Sequence, residues 1–152
     1  MLSLQEISDR FEIQDLVNRY AQIIDAKEFD LLREDVFCED AFIDYSVFGG
    51  SRGDLETTIA FLHKAMQLFP NTQHLNANIQ IQLDGDRATG RVMCLNPQEM
   101  QLPDQQKHLF FCGLWYIDEY RRTTRGWRIA KRVEEKSFVF NAPEFMSEFI
   151  QS

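Results

Sequence analysis

Apolar side chains at Ile13, Leu16, Val17, Tyr20, Ile23 and Ile24 recur at helical spacing and predict an amphipathic helix over about residues 4–26. A second helical piece is expected from Lys27 to Phe37, with Phe29, Leu32, Val36 and Phe37 as its apolar positions. Residues 41–48 alternate and predict a strand with Ile43, Tyr45 and Val47 on one face, ended by Gly49 and Gly50. Asp54 is placed as the N-cap of a helix to about Phe69, striped by Leu55, Ile59, Leu62, Ala65, Met66 and Phe69 and stopped by Pro70.

Beyond Pro70 the period changes from helical to two. His74 to Leu83 alternates, with Leu75, Ala77, Ile79, Ile81 and Leu83 on one face and His74, Asn76, Asn78, Gln80 and Gln82 on the other. Either that polar row lines a pocket or a bulge resets the phase. Asp84-Gly85 is a hairpin signal, and Arg87 to Leu95 is the return strand, with Ala88, Gly90, Val92 and Cys94 together. Residues 96–106, with two prolines, read as a long loop able to act as a lid. Lys107 to Tyr120 and Trp127 to Phe140 are the last strands, joined by a turn from Arg121 to Gly126, and Phe145, Phe149 and Ile150 could dock as a terminal helix. Helices followed by a run of strands indicate an α+β fold: a curved antiparallel sheet wrapped around N-terminal helices, leaving a cone whose wide end can hold a ligand.

Length and charge narrow the setting. The 152 residues suit one domain spanning 1–152, and 24 Asp and Glu against 16 Lys and Arg leave a net charge of −8, which disfavours nucleic acid and anionic membranes as partners. The N-terminus lacks the basic and apolar segments of a secretion signal, and no stretch reaches membrane-spanning length. Three widely spaced cysteines, Cys38, Cys94 and Cys112, read as reduced thiols of a cytoplasmic protein. With no phosphate-binding glycine loop, Cys-x-x-Cys pair, serine elbow or metal-ligand spacing, neither a metal nor a cofactor is expected.

Candidate chemistry begins at Asp25. A carboxylate there meets the partial negative charge at the end of a helix and calls for compensation, and the chain offers three histidines: His63, His74 and His108. By periodicity alone Asp25 only borders the apolar stripe and reads as a solvated helix end, and His74 reads as a surface side chain. His63 lies beside Lys64 on a helix and reads as solvent-facing, while His108 reads as a strand-rim residue. Tyr45 shares a face with core residues, yet a buried hydroxyl needs a partner that a ligand could supply. Tyr116 alternates with Leu114 and Asp118 and is a candidate for lining a pocket. Asp44 is a candidate partner for Arg52, and Arg121, Arg122 and Arg125 read as a solvated hairpin tip.

Ile13-Gln-Asp-Leu, Arg19-Tyr20, Asp25, Asp44-Tyr45, Arg52-Gly53, Thr72-Gln-His74, Asp84-Gly-Asp86-Arg-Ala88-Thr-Gly90 and Trp127-Arg-Ile-Ala-Lys-Arg132 together resemble the SnoaL-like group of the nuclear transport factor 2-like superfamily. The resemblance runs from about Leu4 to Phe140 and implies a cone-shaped α+β barrel. Within the group the chain is similar to a lyase branch comprising scytalone dehydratase, bile acid 7α-dehydratase and hexachlorocyclohexane dehydrochlorinase. That similarity implies His74 as a base oriented by Asp25, Tyr20 and Tyr45 as hydrogen-bond donors to substrate, and Arg132, or Lys131 if the alignment slips, as an anchoring cation. Two departures, Ile24 where scytalone dehydratase has a tyrosine and about Val92 where it has a second histidine, argue against carrying over its substrate.

Free imidazole has a pKa of about 6.5 and can accept a proton near neutrality, while a carboxylate fixes its tautomer. The expected function is a cofactor-independent lyase, of dehydratase type, or an isomerase acting on a small, largely apolar oxygenated molecule. Catalysis is assigned to His74 and Asp25, and substrate binding to Tyr20, Tyr45, Tyr116 and Arg132. The alternatives are a non-catalytic partner subunit, similar to the small subunit of ring-hydroxylating dioxygenases, or a small-ligand-binding module. The resemblance also implies a homodimer formed through the sheet face.

Overall fold

The computed structural model describes residues 1–146. Helix α1 (Leu4–Ala26) opens on a capping box, in which Ser3 Oγ accepts from the Glu6 N–H and the Glu6 carboxylate accepts from the Ser3 N–H. It ends at Lys27, whose φ of 60° is left-handed. The expected second helix is only partly present. A 3-10 turn (Phe29–Leu31) leads into α2 (Leu32–Asp35), and Phe37 already starts a strand. Phe29, Leu32 and Val36 are buried as the pattern demanded, so the pattern found the core positions without finding where the helix stops.

Strand β1 (Phe37–Asp44) begins four residues earlier and ends four earlier than expected. Asp44 Oδ1 accepts from the Ser46 N–H and hydroxyl, which turns the chain into a 3-10 segment (Ser46–Phe48) closed by Gly49 at φ 77°, so Val47 leaves the face that Ile43 occupies. After β2 (Arg52–Gly53), Asp54 caps α3 (Leu55–Ala65) by accepting from the Thr57 N–H at 2.8 Å; a 3-10 turn (Met66–Leu68) completes the apolar stripe.

The remaining strands are β3 (Asn71–Thr72), β4 (Leu75–Asp84), β5 (Arg87–Gln101), β6 (Lys107–Thr123) and β7 (Gly126–Phe140). They form one curled, half-barrel sheet in the order β2-β1-β7-β6-β5-β3, with β4 following β3 along the same edge of β5. The sheet is mixed, because β1 pairs in parallel with β7 while the other pairings are antiparallel. Its concave face wraps the stripe of α1, and α3 covers β1. The lid expected at 96–106 is absent. Register pairing of Asn96–Gln101 with Lys107–Cys112 carries the hairpin through Pro97, leaving a short turn at 102–106. A 3-10 turn (Glu144–Met146) follows β7, and Phe149 and Ile150 lie outside the described residues.

β4 contains the register shift that decides its phase. Between Ala77 and Gln80 the pairing with β5 slips, and Asn78 takes a left-handed φ of 47°. Downstream, Ile79, Ile81 and Leu83 turn inward as expected. Upstream, Leu75 and Ala77 are exposed, and Asn76 turns inward to donate to the Val17 carbonyl of α1. The upstream polar row, His74 included, is thereby moved to the concave side.

Two charge clusters hold the closed part of the half-barrel. Asp9 of α1 accepts from Arg122 Nη2 (2.8 Å), Trp127 Nε1 (3.1 Å) and Gln5 Nε2 (2.9 Å), and the Arg122 bond above all holds its carboxyl down at about 2. Arg121 pairs with Asp40 and Arg125 with Glu34, so the expected solvated hairpin tip is instead a set of ties from the β6–β7 turn to neighbouring elements. Deeper, Arg132 and Asp118 are both fully buried and joined by two hydrogen bonds of 2.8 and 2.6 Å, and Tyr120 donates to the same carboxylate. A Cβ at Gly90 would lie 2.7 Å from the Tyr120 ring, so the glycine is required where that tyrosine crosses β5. Removing one partner of a buried pair strands the other. Asp118→Ala should therefore lower the unfolding free energy by about 3–5 kcal/mol in urea denaturation, whereas Asp118→Leu combined with Arg132→Met should recover most of the loss.

Candidate active site

The end of α1 and the segment entering β4 meet at Asp25. Its Oδ1 lies 2.7 Å from His74 Nδ1 and accepts from Thr72 Oγ1 at 3.0 Å, while Oδ2 accepts from the His74 backbone N–H at 3.0 Å. Burial pushes the Asp25 carboxyl up, but the bonds and charge of His74, with Thr72, outweigh it and leave the group below the usual carboxylate range. An ionised carboxylate only accepts, so a ring hydrogen sits on Nδ1, and Nε2 is the nitrogen left to act as an acceptor whenever the imidazole is neutral. The His74 side chain is 8% exposed, and Nε2 has no hydrogen-bond partner among the described residues.

His74 lines a cavity of about 140 Å³ between α1, α3 and the sheet. Its walls are largely apolar, with Ile24, Phe48, Phe61, Leu62, Phe69 and Phe110 prominent. Tyr20 and Tyr45 share this lining, their hydroxyls 2.8 Å apart. Burial raises Tyr20 to about 12 and Tyr45 well above its ordinary value, so both hydroxyls stay protonated. Their mutual bond uses one hydrogen, and the other is available to a ligand. Cys112 also faces the cavity, but burial pushes its thiol up to about 12, which removes it as a nucleophile near neutrality.

Two residues expected at the ligand lie behind the wall instead. Arg132 is sandwiched between the rings of Tyr20 and Tyr116, with Cζ 4.3 and 4.0 Å from their centroids, and is clasped by Asp118. Neither Arg132 nor Tyr116 lines the cavity. Lys131 lies on the other side of β7, paired with Glu119 at 3.1 Å, so Arg132 is the inward cation of the two. His63 is exposed beside Asp30 and the Phe29 ring, His108 sits at the rim against the Asn141 carbonyl, and Asp44 pairs with Arg52 at 3.1 Å. Among the described residues there is no group of three or more His, Cys, Asp or Glu able to hold a metal. No helix among them is long and apolar enough to cross a membrane.

A SnoaL-like domain model matches residues 5–133. The chain belongs to the SnoaL-like domain family. An uncharacterised protein of Mycobacterium tuberculosis is 44% identical over 138 residues, covering 91% of this SnoaL-like chain and 92% of that protein. Among solved structures, a putative scytalone dehydratase from Novosphingobium aromaticivorans has a TM-score of 0.79 at 18% identity, covering 90% and 89% of the two chains. Hexachlorocyclohexane dehydrochlorinase LinA-type3 from Novosphingobium barchaimii has a TM-score of 0.77 at 17% identity, covering 93% and 94%. An NTF2-like protein with a cystatin-like fold from Novosphingobium aromaticivorans has a TM-score of 0.63 at 21% identity, covering 98% and 93%. At these identities the structures establish a shared nuclear transport factor 2-like fold and nothing finer.

The SnoaL-like cavity also holds three polar residues that sequence reasoning missed. Asn96, nearly fully buried, donates to the Gln73 carbonyl at 2.7 Å and accepts from Gln98, fixing the wall beside His74. Glu134 lines the cavity with no hydrogen-bond or ion-pair partner among the described residues, and burial raises its carboxyl to about 8 against the pull of Arg132. Strand parity was the available signal, since Glu134 follows the inward Arg132 by two residues. A carboxyl raised in the folded state binds a proton there that the unfolded chain releases above about 4.5, so folding should weaken as pH rises from about 4.5 to about 8. Urea midpoints across that interval should fall for the wild type relative to Glu134→Gln, and parallel curves for the two proteins would contradict the assignment.

Proposed function

We propose that this SnoaL-like domain is a cofactor-independent lyase of dehydratase type, or an isomerase, in which His74 withdraws a proton from a small, largely apolar oxygenated substrate. The observation that carries the reading is the 2.7 Å contact between Asp25 Oδ1 and His74 Nδ1 at the edge of the cavity. It leaves Nε2 as the free basic nitrogen, with the carboxylate placed to stabilise the imidazolium that forms. The proton most accessible to such a base lies α to a carbonyl or β to a leaving group. The Tyr20–Tyr45 pair supplies the hydrogen bond to the oxygen on which charge develops.

Volume bounds the substrate. An engineered protein cavity of about 150 Å³ accommodates benzene, so a hollow of about 140 Å³ suits a single six-membered ring. The likeness to a putative dehydratase and to a dehydrochlorinase supports an elimination, although their fold alone does not choose it. As a non-catalytic partner subunit, the chain would have that hollow filled by its own side chains; the open cavity therefore supports the enzyme.

The reading extends to assembly. Leu95, Leu109, Ile117 and Phe138 on the outer sheet face expose between 37% and 50% of their surface, an apolar area suited to a second copy in a symmetric dimer. Sedimentation should give twice the chain mass of 17.9 kDa, and a monomer at micromolar concentration would remove this part of the proposal.

Turnover should be screened on single-ring β-hydroxy ketones and dienones by following the conjugated product. Asp25→Asn keeps the shape of the side chain and should leave the circular dichroism spectrum intact while lowering kcat by about 10²–10⁴-fold. Unchanged turnover in that variant would reject His74–Asp25 as the base.

A further inference from the structure

A base that removes a proton from carbon completes only half of an elimination, because the departing oxygen must acquire one. The cavity contains a group suited to that half. Glu134 lines the same hollow as His74, and no protein group among the described residues hydrogen-bonds to its carboxyl. Its cross-strand neighbour on β6 is Tyr116, which is turned to Arg132 and Tyr20 instead. Glu134 is partly buried, so its carboxyl keeps access to whatever fills the hollow and is free to pair with it.

Resting on the reading of His74 as base, we propose that Glu134 is a second catalytic residue, a neutral carboxylic acid that hydrogen-bonds to a substrate oxygen and hands it a proton. The proposal also restricts the substrate class to uncharged, monocyclic ketones and alcohols. The cation that could have balanced an anionic ligand, Arg132, is paired with Asp118 through Nε and Nη2 and set back behind the tyrosine rings, and its remaining nitrogen, Nη1, has no partner among the described residues. In the dehydration of a β-hydroxy ketone, Nε2 of His74 takes the α-proton and the C–H electron pair becomes the new carbon–carbon double bond. The C–O bond breaks, and the departing hydroxyl takes the Glu134 proton and leaves as water. Imidazolium and carboxylate remain, and a proton passed from one to the other through the released water restores both.

The surroundings keep the acid neutral. Arg132 faces Glu134 from its own strand and pulls toward ionisation; Asp44, at the end of β1, and burial push the other way and prevail. Tyr20 and Tyr45 face it from α1 and the β1 end, and Cys94, Cys112 and Tyr116 from β5 and β6. These five hydroxyls and thiols are all held protonated by burial, so none of them is the anion that a neutral pH would create beside it. His74 is the remaining titratable side chain on the lining.

Cyclohexanone is an uncharged, single-ring hydrogen-bond acceptor and serves as the probe, titrated into the full chain by calorimetry or NMR. Wild-type affinity should be highest well below pH 8 and fall about tenfold as pH rises through about 8, where Glu134 ceases to donate. Glu134→Gln retains a donor of the same shape and should bind without that fall. Glu134→Ala should bind about tenfold more weakly than wild type at the lower pH. Absence of cyclohexanone binding, persistence of the fall in Glu134→Gln, or full affinity in Glu134→Ala would each overturn the proposal. Asp25→Asn separates the two readings, because it should keep the pH-dependent binding whatever it does to turnover. Unchanged turnover in Asp25→Asn together with the expected Glu134 results would remove the base and leave the acid.

Discussion

Three hydrogen bonds converge on the carboxylate of Asp25, and the site is organised around them. A negative side chain at the last turn of α1 opposes the helix dipole, and without donors it would loosen the end of the helix. Thr72 and the backbone and ring of His74 supply those donors from the chain entering β4. One contact therefore fastens the long helix to the edge of the sheet, sets the imidazole tautomer, and leaves Nε2 unpartnered on a side chain that lines the hollow. Lys27 adds to the same fastening by donating to the Pro70 carbonyl at 3.0 Å.

Charges are treated differently at the two ends of the curled sheet. Around the β6–β7 turn, Asp9, Arg122, Arg121 and Arg125 are paired with partners from distant parts of the chain, and Arg132 with Asp118 continues that pattern inward. At the cavity, by contrast, Glu134 and Nε2 of His74 are left without protein partners among the described residues. Polar groups kept unsatisfied in a largely apolar enclosure detract from stability and are the groups available for chemistry. The paired end supplies the rigidity that lets the other end remain open.

Helix starts and hairpins were legible in the chain because they are written locally: Asp54 as a cap, Asp84-Gly85 as a turn, and the Ile13 to Ile24 stripe as a buried face. Element ends were less so. Asp44 and Ser46 end β1 through a side-chain turn that period-two counting does not register, and long-range pairing with β6 carries β5 through Pro97 despite its loop-like composition. His74 and Asp25 were singled out by resemblance, since periodicity alone placed both toward solvent. Tyr116 and Arg132 face inward as sequence parity allows, but their stacking on one another, set by tertiary packing, withdraws them from the hollow. Glu134 was missed because an acidic residue on a strand reads as surface until its neighbour two positions earlier is known to point in.

The slip at Asn78 makes β4 two half-strands of opposite phase: in the first, next to His74, Asn76 turns in toward α1, and in the second Ile79, Ile81 and Leu83 turn in toward the core. A single supernumerary residue thus lets one continuous strand answer to two masters. Substitutions in the half that follows His74 need not be matched in the greasy half, so the one can change while the other keeps its shape.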